Sequence, residues 1–188
     1  MEGRPAFFNQ GFNQNWLVVG DFPATQITDT TLIDERSIAP KIFDFGGDRT
    51  FNNGQWEGFF SNSATIDFNQ AFPRAQTGGR VAYAAAYVIN TFPRDIAAQL
   101  TIVTNNPVQV YADGLLVAQN PNSGGTTAIM TFKASGETTK ATRVLVKLLQ
   151  RAQDAQFTFT AQFADQFGVN LTDVTGELVF TLGPDGGV

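Results

Sequence analysis

The sequence predicts an all-β fold, an antiparallel jelly-roll β-sandwich of about ten short strands, and three observations carry that prediction. In "QFTFTAQF" (156–163), Phe157, Phe159 and Phe163 face one way while Thr158, Thr160 and Gln162 face the other, the period of a strand with one buried face. In "VQVYADGLLV" (108–117), apolar residues flank Asp113-Gly114, the pair suited to the two positive φ angles of a type I′ hairpin turn. The rest of the chain shows short apolar runs between turn signals and almost no helical periodicity, the pattern of a sandwich.

The elements follow in order. "NWLVVGDFP" (15–23) reads as an apolar strand ending in a Gly and Pro turn, and residues 24–40, mixed and rich in Thr and Asp, read as a long connection. "KIFDFGGDRTFNNGQW" (41–56) alternates at first and then breaks at Gly46-Gly47 and Asn53-Gly54, and "SATIDFNQAF" (63–72) supplies a short strand. "RVAYAAAYVIN" (80–90) is a long strand with Val81, Tyr83, Ala85 and Tyr87 on one face, and "AAQLTIVTN" (97–105) leads into the hairpin. After the loop "NPNSGG" come "TTAIMTFKA" (126–134) and "ATRVLVKLL" (141–149), where Val144, Val146 and Leu148 oppose Arg143, Leu145 and Lys147. "QFTFTAQF" and "ELVFTL" (177–182) complete the set, and "LLQRAQDAQ" is too short a helical candidate to change the class. The expected organisation is an N-terminal arm over 1–14, one sandwich domain over 15–183 and a C-terminal tail over 184–188.

Composition narrows the function. The 188 residues suit one domain, and a hydrophobic fraction of 43% supports a sizeable core. Eighteen Phe stand against three Tyr and two Trp, which favours buried packing over polar recognition. With no Cys and no His, disulfides, thiolates, His- or Cys-based zinc sites and histidine general bases are excluded. The net charge is −5, from 12 basic and 17 acidic residues, and the basic residues form no dense cluster, which disfavours nucleic acid. "MEGRPAFFNQ" has no basic region followed by an apolar core, so a protein made in the cytoplasm without a signal peptide is expected. No run reaches the length of a membrane span, so no membrane partner is expected.

Several stretches together resemble the galactose-binding-like jelly-roll domains found as accessory modules on bacterial carbohydrate-active and cell-surface proteins. "NWLVVGDFP" is similar to their opening strand, and "GRVAYAAAYVIN" through "VQVYADGLLVAQN" to their central portion. "TRVLVKLLQ" and "AQFTFTAQFADQFGVNL" resemble their later strands, so the likeness spans about residues 15 to 172. It implies the sandwich fold and the binding of a glycan. Where family members carry an acidic stretch before the hairpin, this chain has Asn105-Asn106-Pro107. Asp113 alone does not supply the several oxygen ligands that a hard cation takes, and no metal or cofactor is expected.

Two functions remain in view. A catalytic pair would be sought among Asp44, Asp48, Glu57 and Asp67, but nothing in the sequence sets two of them across a cleft, so an enzyme is not expected. A carbohydrate-binding module would use Trp56, in the polar loop "NNGQWEG", as an exposed platform, with Tyr111 and Asp113 at the hairpin; Trp16, Tyr83 and Tyr87 read as core. The favoured expectation is a self-associating structural protein, resembling virion decoration subunits that staple a sandwich to a capsid lattice. Phe7, Phe8 and Phe12 of "PAFFNQGF" would then form the partner-binding arm, either on a neighbour or on their own domain. The low charged fraction of 15% suits a surface covered by neighbours. "VQVYADGLLV" is read as a scaffold hairpin, more than as a site.

Overall fold

The computed structural model describes residues 12–29, 33–45, 54–72, 78–134, 141–171 and 176–184. Among them lie eleven strands: β1 (Asn15–Pro23), β2 (Glu57–Phe60), β3 (Thr65–Asp67), β4 (Arg80–Asn90), β5 (Ile96–Val103), β6 (Val108–Ala112), β7 (Leu115–Asn120), β8 (Thr126–Phe132), β9 (Thr142–Gln150), β10 (Thr158–Ala164) and β11 (Leu178–Thr181). One helical turn, α1 (Phe68–Ala71), is capped by the Asp67 side chain, which accepts from Asn69 N.

The strands form two antiparallel sheets. The larger runs β2-β1-β4-β9-β6-β7, and the smaller β3-β10-β5-β8. β1 and β11 share one side of β4 end to end, β1 alongside 80–85 and β11 alongside 87–90. The expected antiparallel sandwich is therefore the fold. The alternation read in "QFTFTAQF" is the register of β10, with Phe159, Ala161 and Phe163 buried between the sheets.

The inner faces meet in one core. Trp16, Val18, Ala82, Ala84 and Ala86 from the large sheet pack towards Leu100, Ile102, Phe159 and Phe163 from the small one. Three alanines in alternate positions of β4 leave room for the facing aromatic rings.

The large sheet is buried on its other face too. Residues 24–29, 33–45 and 54–56 lie across it, and Ala24, Ile27, Ile33 and Trp56 pack on Leu17, Val19, Tyr83, Tyr87, Leu145 and Leu149 in a second apolar cluster. The stretch read as a long connection is thus a covering layer. This corrects the expected exposure of Trp56, which is 0% accessible. Its backbone is pinned in a two-stranded turn, with Trp56 N donating to Asp44 O at 2.8 Å and Phe43 N donating to Trp56 O at 2.7 Å. The indole drops onto the outer sheet face while its neighbours stay polar.

At the start of the described chain, Phe12 bridges Gln162 of β10, and Asn13 N donates to Ala161 O at 3.1 Å. Phe12 is half-buried and joined to its own sandwich. Phe7 and Phe8 lie outside the described residues.

Candidate functional site

The covering layer and the β6–β7 hairpin enclose an open pocket of about 640 Å³, lined by Thr28, Glu35, Arg36, Gln109, Tyr111, Asp113, Gly114, Leu115, Leu116 and Gln119. The hairpin forms as its sequence requires. Asp113 (φ 46°) and Gly114 (φ 86°) both occupy the left-handed region, as a type I′ turn demands. Gly114 also faces the covering layer: a Cβ there would stand 2.1 Å from Arg36 O. The turn therefore has no room for any other residue.

The hairpin is irregular on its far strand. Val110 pairs with Ala118 but Tyr111 pairs with Leu116, so Val117 is extra. A bulge of this kind bends an edge strand and re-aims its side chains. Here it leaves Leu115 at 72% and Leu116 at 46% exposure beside the pocket.

The polar wall is held by a network beneath it. Lys147, 0% accessible, reaches from the outer face of β9 to Glu35 Oε1 at 2.8 Å and also donates to Asp29 O. Tyr83 donates to the same Glu35 oxygen at 3.0 Å. Arg143 Nη2 donates to Glu35 O at 3.0 Å and Arg36 O at 3.2 Å, so the Glu35–Arg36 turn is clamped by two cations from β9. Burial, with the Glu35 carboxylate beside it, raises the Tyr83 phenol far above its ordinary pKa.

Of the three residues expected at a ligand site, the fold brings two together. Tyr111 and Asp113 line the same pocket, and Trp56 does not. Tyr111 is 8% exposed and donates to Gln109 Oε1 at 3.0 Å, while Gln109 Nε2 donates to Gln119 Oε1 at 3.3 Å. Burial chiefly, then the Glu35 charge, pushes the Tyr111 phenol up to about 12. Asp113 Oδ1 accepts from Arg143 N at 2.9 Å, and its carboxylate is otherwise exposed. Glu35, Arg36 and Gln109 are missed by sequence reasoning. Glu35 and Arg36 sit in the apparent connection, and Gln109 stands among strand residues with no sign of what covers it.

In the Asn105-Asn106 stretch Asn106 is buried and Asn105 stays at the surface. Asn106 Nδ2 donates to Gln156 O at 2.9 Å and Asn105 Nδ2 donates to Gln156 Oε1 at 2.7 Å, while Thr158 N donates to Asn106 Oδ1 at 3.3 Å. The amides act as donors where carboxylates could only accept, and they staple the β5–β6 turn to the approach of β10. Among the described residues no cluster of three or more acidic side chains is arranged to hold a metal ion, and no helix is long and apolar enough to cross a membrane.

Fold and pocket define an antiparallel β-sandwich with a cleft beside one hairpin. No protein-family model and no curated protein matches the chain. Among solved structures it is similar to a β-glucosidase from Kluyveromyces marxianus, with TM-score 0.45 and 11% identity over 79% of this chain but only 14% of that one. The PA14 domain of the MpAFP antifreeze protein gives TM-score 0.44 and 10% identity, over 99% of this chain and 97% of that one. A PA14 sugar-binding domain from an RTX adhesin gives TM-score 0.39 and 13% identity, over 82% and 92%. These likenesses are loose, and the fold assignment rests on this chain's own strand pairing.

Proposed function

We propose that the protein is a non-enzymatic binding module whose pocket at the β6–β7 hairpin takes a carbohydrate. One observation carries the reading: a cleft of about 640 Å³ that joins fixed hydrogen-bonding groups to an aliphatic wall of Leu115 and Leu116. A sugar presents the same combination, hydroxyls around its rim and C–H groups on its faces. The volume falls within the usual range of small-ligand pockets. Asp113 and Gln119 are exposed and supply acceptors and donors, and Arg36 supplies a guanidinium at the mouth.

Binding suits the site better than catalysis. Glu35 and Asp113 are the carboxylates that line it. Glu35 Oε1 is already engaged by Lys147 and Tyr83, which ties that carboxyl oxygen into the network under the covering layer instead of offering it to a substrate.

The test is a glycan array followed by calorimetric titration of any hit with the parent protein, Asp113→Ala and Leu116→Ala. Loss of at least tenfold in affinity in each variant is the expected result, with binding measured well below each variant's unfolding temperature because Asp113→Ala also loses the bond from Arg143 N. An array without a hit, or a hit whose affinity neither substitution moves, overturns the reading.

A further inference from the structure

The covering layer stops part-way across the outer face of the large sheet. The registers set two rows over that face, Lys147, Gln109 and Gln119 in one and Leu145, Tyr111 and Leu116 in the next. Burial gives way along each row from β9 to β7: Lys147 and Leu145 are sealed, Gln109 and Tyr111 are buried, and Gln119 and Leu116 are exposed. The pocket is therefore a step, with the edge of the cover as its wall and the outer face of the β6–β7 hairpin as its floor. Gln119 and Leu116 are three residues apart and would point to opposite faces of a regular strand. The extra Val117 puts them on the same one. Wall and floor run in the same direction. At one end Lys147, in register with Gln109, donates to Asp29 O beside Thr28. At the other the Arg36 carbonyl lies against Gly114 of the turn. Glu35 stands between, bonded to Lys147 by its side chain and to Arg143 by its carbonyl.

We propose that this step is a groove for a short neutral oligosaccharide, more than one ring long, laid along β6 against the edge of the covering layer; the inference rests on the carbohydrate reading above. Length argues for a chain. Gln109 and Asp113 are four strand steps apart, so the floor is about 13 Å long and accommodates about two to three linked pyranose rings. Its polar groups stand at the two ends. The Gln109 and Gln119 amides, joined at 3.3 Å, occupy one, and Arg36 with Asp113 the other. Tyr111 and Leu116, paired across the strands, lie between them. A single ring cannot reach both polar ends, whereas linked rings can, with their C–H faces over the apolar middle. Charge argues for a neutral ligand. Glu35 in the wall is paired with Lys147 from beneath, and Arg36 and Asp113 bring opposite charges to the same end.

The experiment is calorimetric titration of the full chain with cello-, malto- and galacto-oligosaccharides of one to four residues, and with the matching fragments of any glycan the array identifies. The expected result is an affinity that rises at least tenfold from monosaccharide to trisaccharide and then levels off at the fourth residue. Gln119→Ala and Arg36→Ala, whose side chains are exposed at opposite ends of the groove, should each weaken the trisaccharide at least fivefold. Their effects should multiply in the double variant, as for separated sites that share no partner. A monosaccharide that binds as tightly as the trisaccharide overturns the groove and leaves the carbohydrate reading standing. So does a fourth residue that adds as much as the third, a trisaccharide indifferent to both substitutions, or trigalacturonate bound more tightly than every neutral trisaccharide. No binding by any of the series or by any array glycan overturns both. The length series is measured on the parent protein, so a variant that fails to fold does not remove the test.

Discussion

Lys147 Nζ lies 2.8 Å from Glu35 Oε1, and the two side chains, 112 residues apart in sequence, are 0% and 6% exposed. The pair fastens the covering layer to the central sheet through a single contact between opposite charges. Lys147 sits 5.5 Å over the Tyr83 ring as well, so aromatic and carboxylate share one cation.

Breaking that pair from one side should cost far more than removing it whole. Lys147→Met leaves Glu35 buried without its counter-charge, and a loss of about 3–5 kcal/mol is expected. The triple variant Lys147→Met/Glu35→Leu/Tyr83→Phe, which also removes the hydroxyl that donates to Glu35, should recover most of that loss. Urea unfolding of Lys147→Met, Glu35→Leu and the triple variant gives the comparison directly.

Trp56 should behave as a core residue. Trp56→Ala is expected to lower stability by about 3–5 kcal/mol, the usual range for a buried large aromatic. Any effect on ligand binding should vanish when binding is measured well below the variant's own unfolding temperature. Calorimetric unfolding and a binding isotherm on the same sample separate the two effects.

Gly114→Ala should be more damaging than its size suggests. The new methyl would meet the Arg36 carbonyl at 2.1 Å, and the φ of 86° disfavours any L side chain. A loss of at least about 2 kcal/mol is expected, with the 33–38 segment released first. Hydrogen exchange should show faster exchange at Ile38 N, which is bonded to Asp34 O, before the central strands respond.

Alkali should weaken the fold through two phenols. Tyr83 and Tyr111 both hold their protons more tightly folded than unfolded. The stability they confer is complete below the ordinary phenol pKa of about 10. It falls away as pH climbs through about 12 for Tyr111 and beyond that for Tyr83. Absorbance at the phenolate band should show Tyr83 ionising only as the protein unfolds, and Tyr83→Phe should flatten the decline in stability above pH 10.

Much of the scaffold is legible in the residues themselves. "RVAYAAAYVIN" coincides with β4, "NWLVVGDFP" with β1, and the Asp113-Gly114 turn forms the hairpin it announces. These are local features, fixed by side-chain period and turn chemistry. The candidate site is less legible because it depends on which face is covered. Lys147 stands in a strand whose period fits a solvent-facing cation, and it is buried because residues 24–29 and 33–45 lie above it. Trp56 is hidden for the same reason. Its polar neighbours describe the loop's outer surface, and nothing local reports the apolar sheet beneath.

The covering layer also determines where the polypeptide tolerates rearrangement. A stretch such as 24–40, polar and rich in turn formers, invites insertion of a tag or reporter, yet its residues 24–29 and 33–40 close the tyrosine-lined face of the large sheet and form one wall of the pocket. The exposed tip at 121–124, between β7 and β8, buries nothing comparable and is the better place to splice in foreign sequence. The most ordinary-looking linker in the chain is the one an engineer should leave whole.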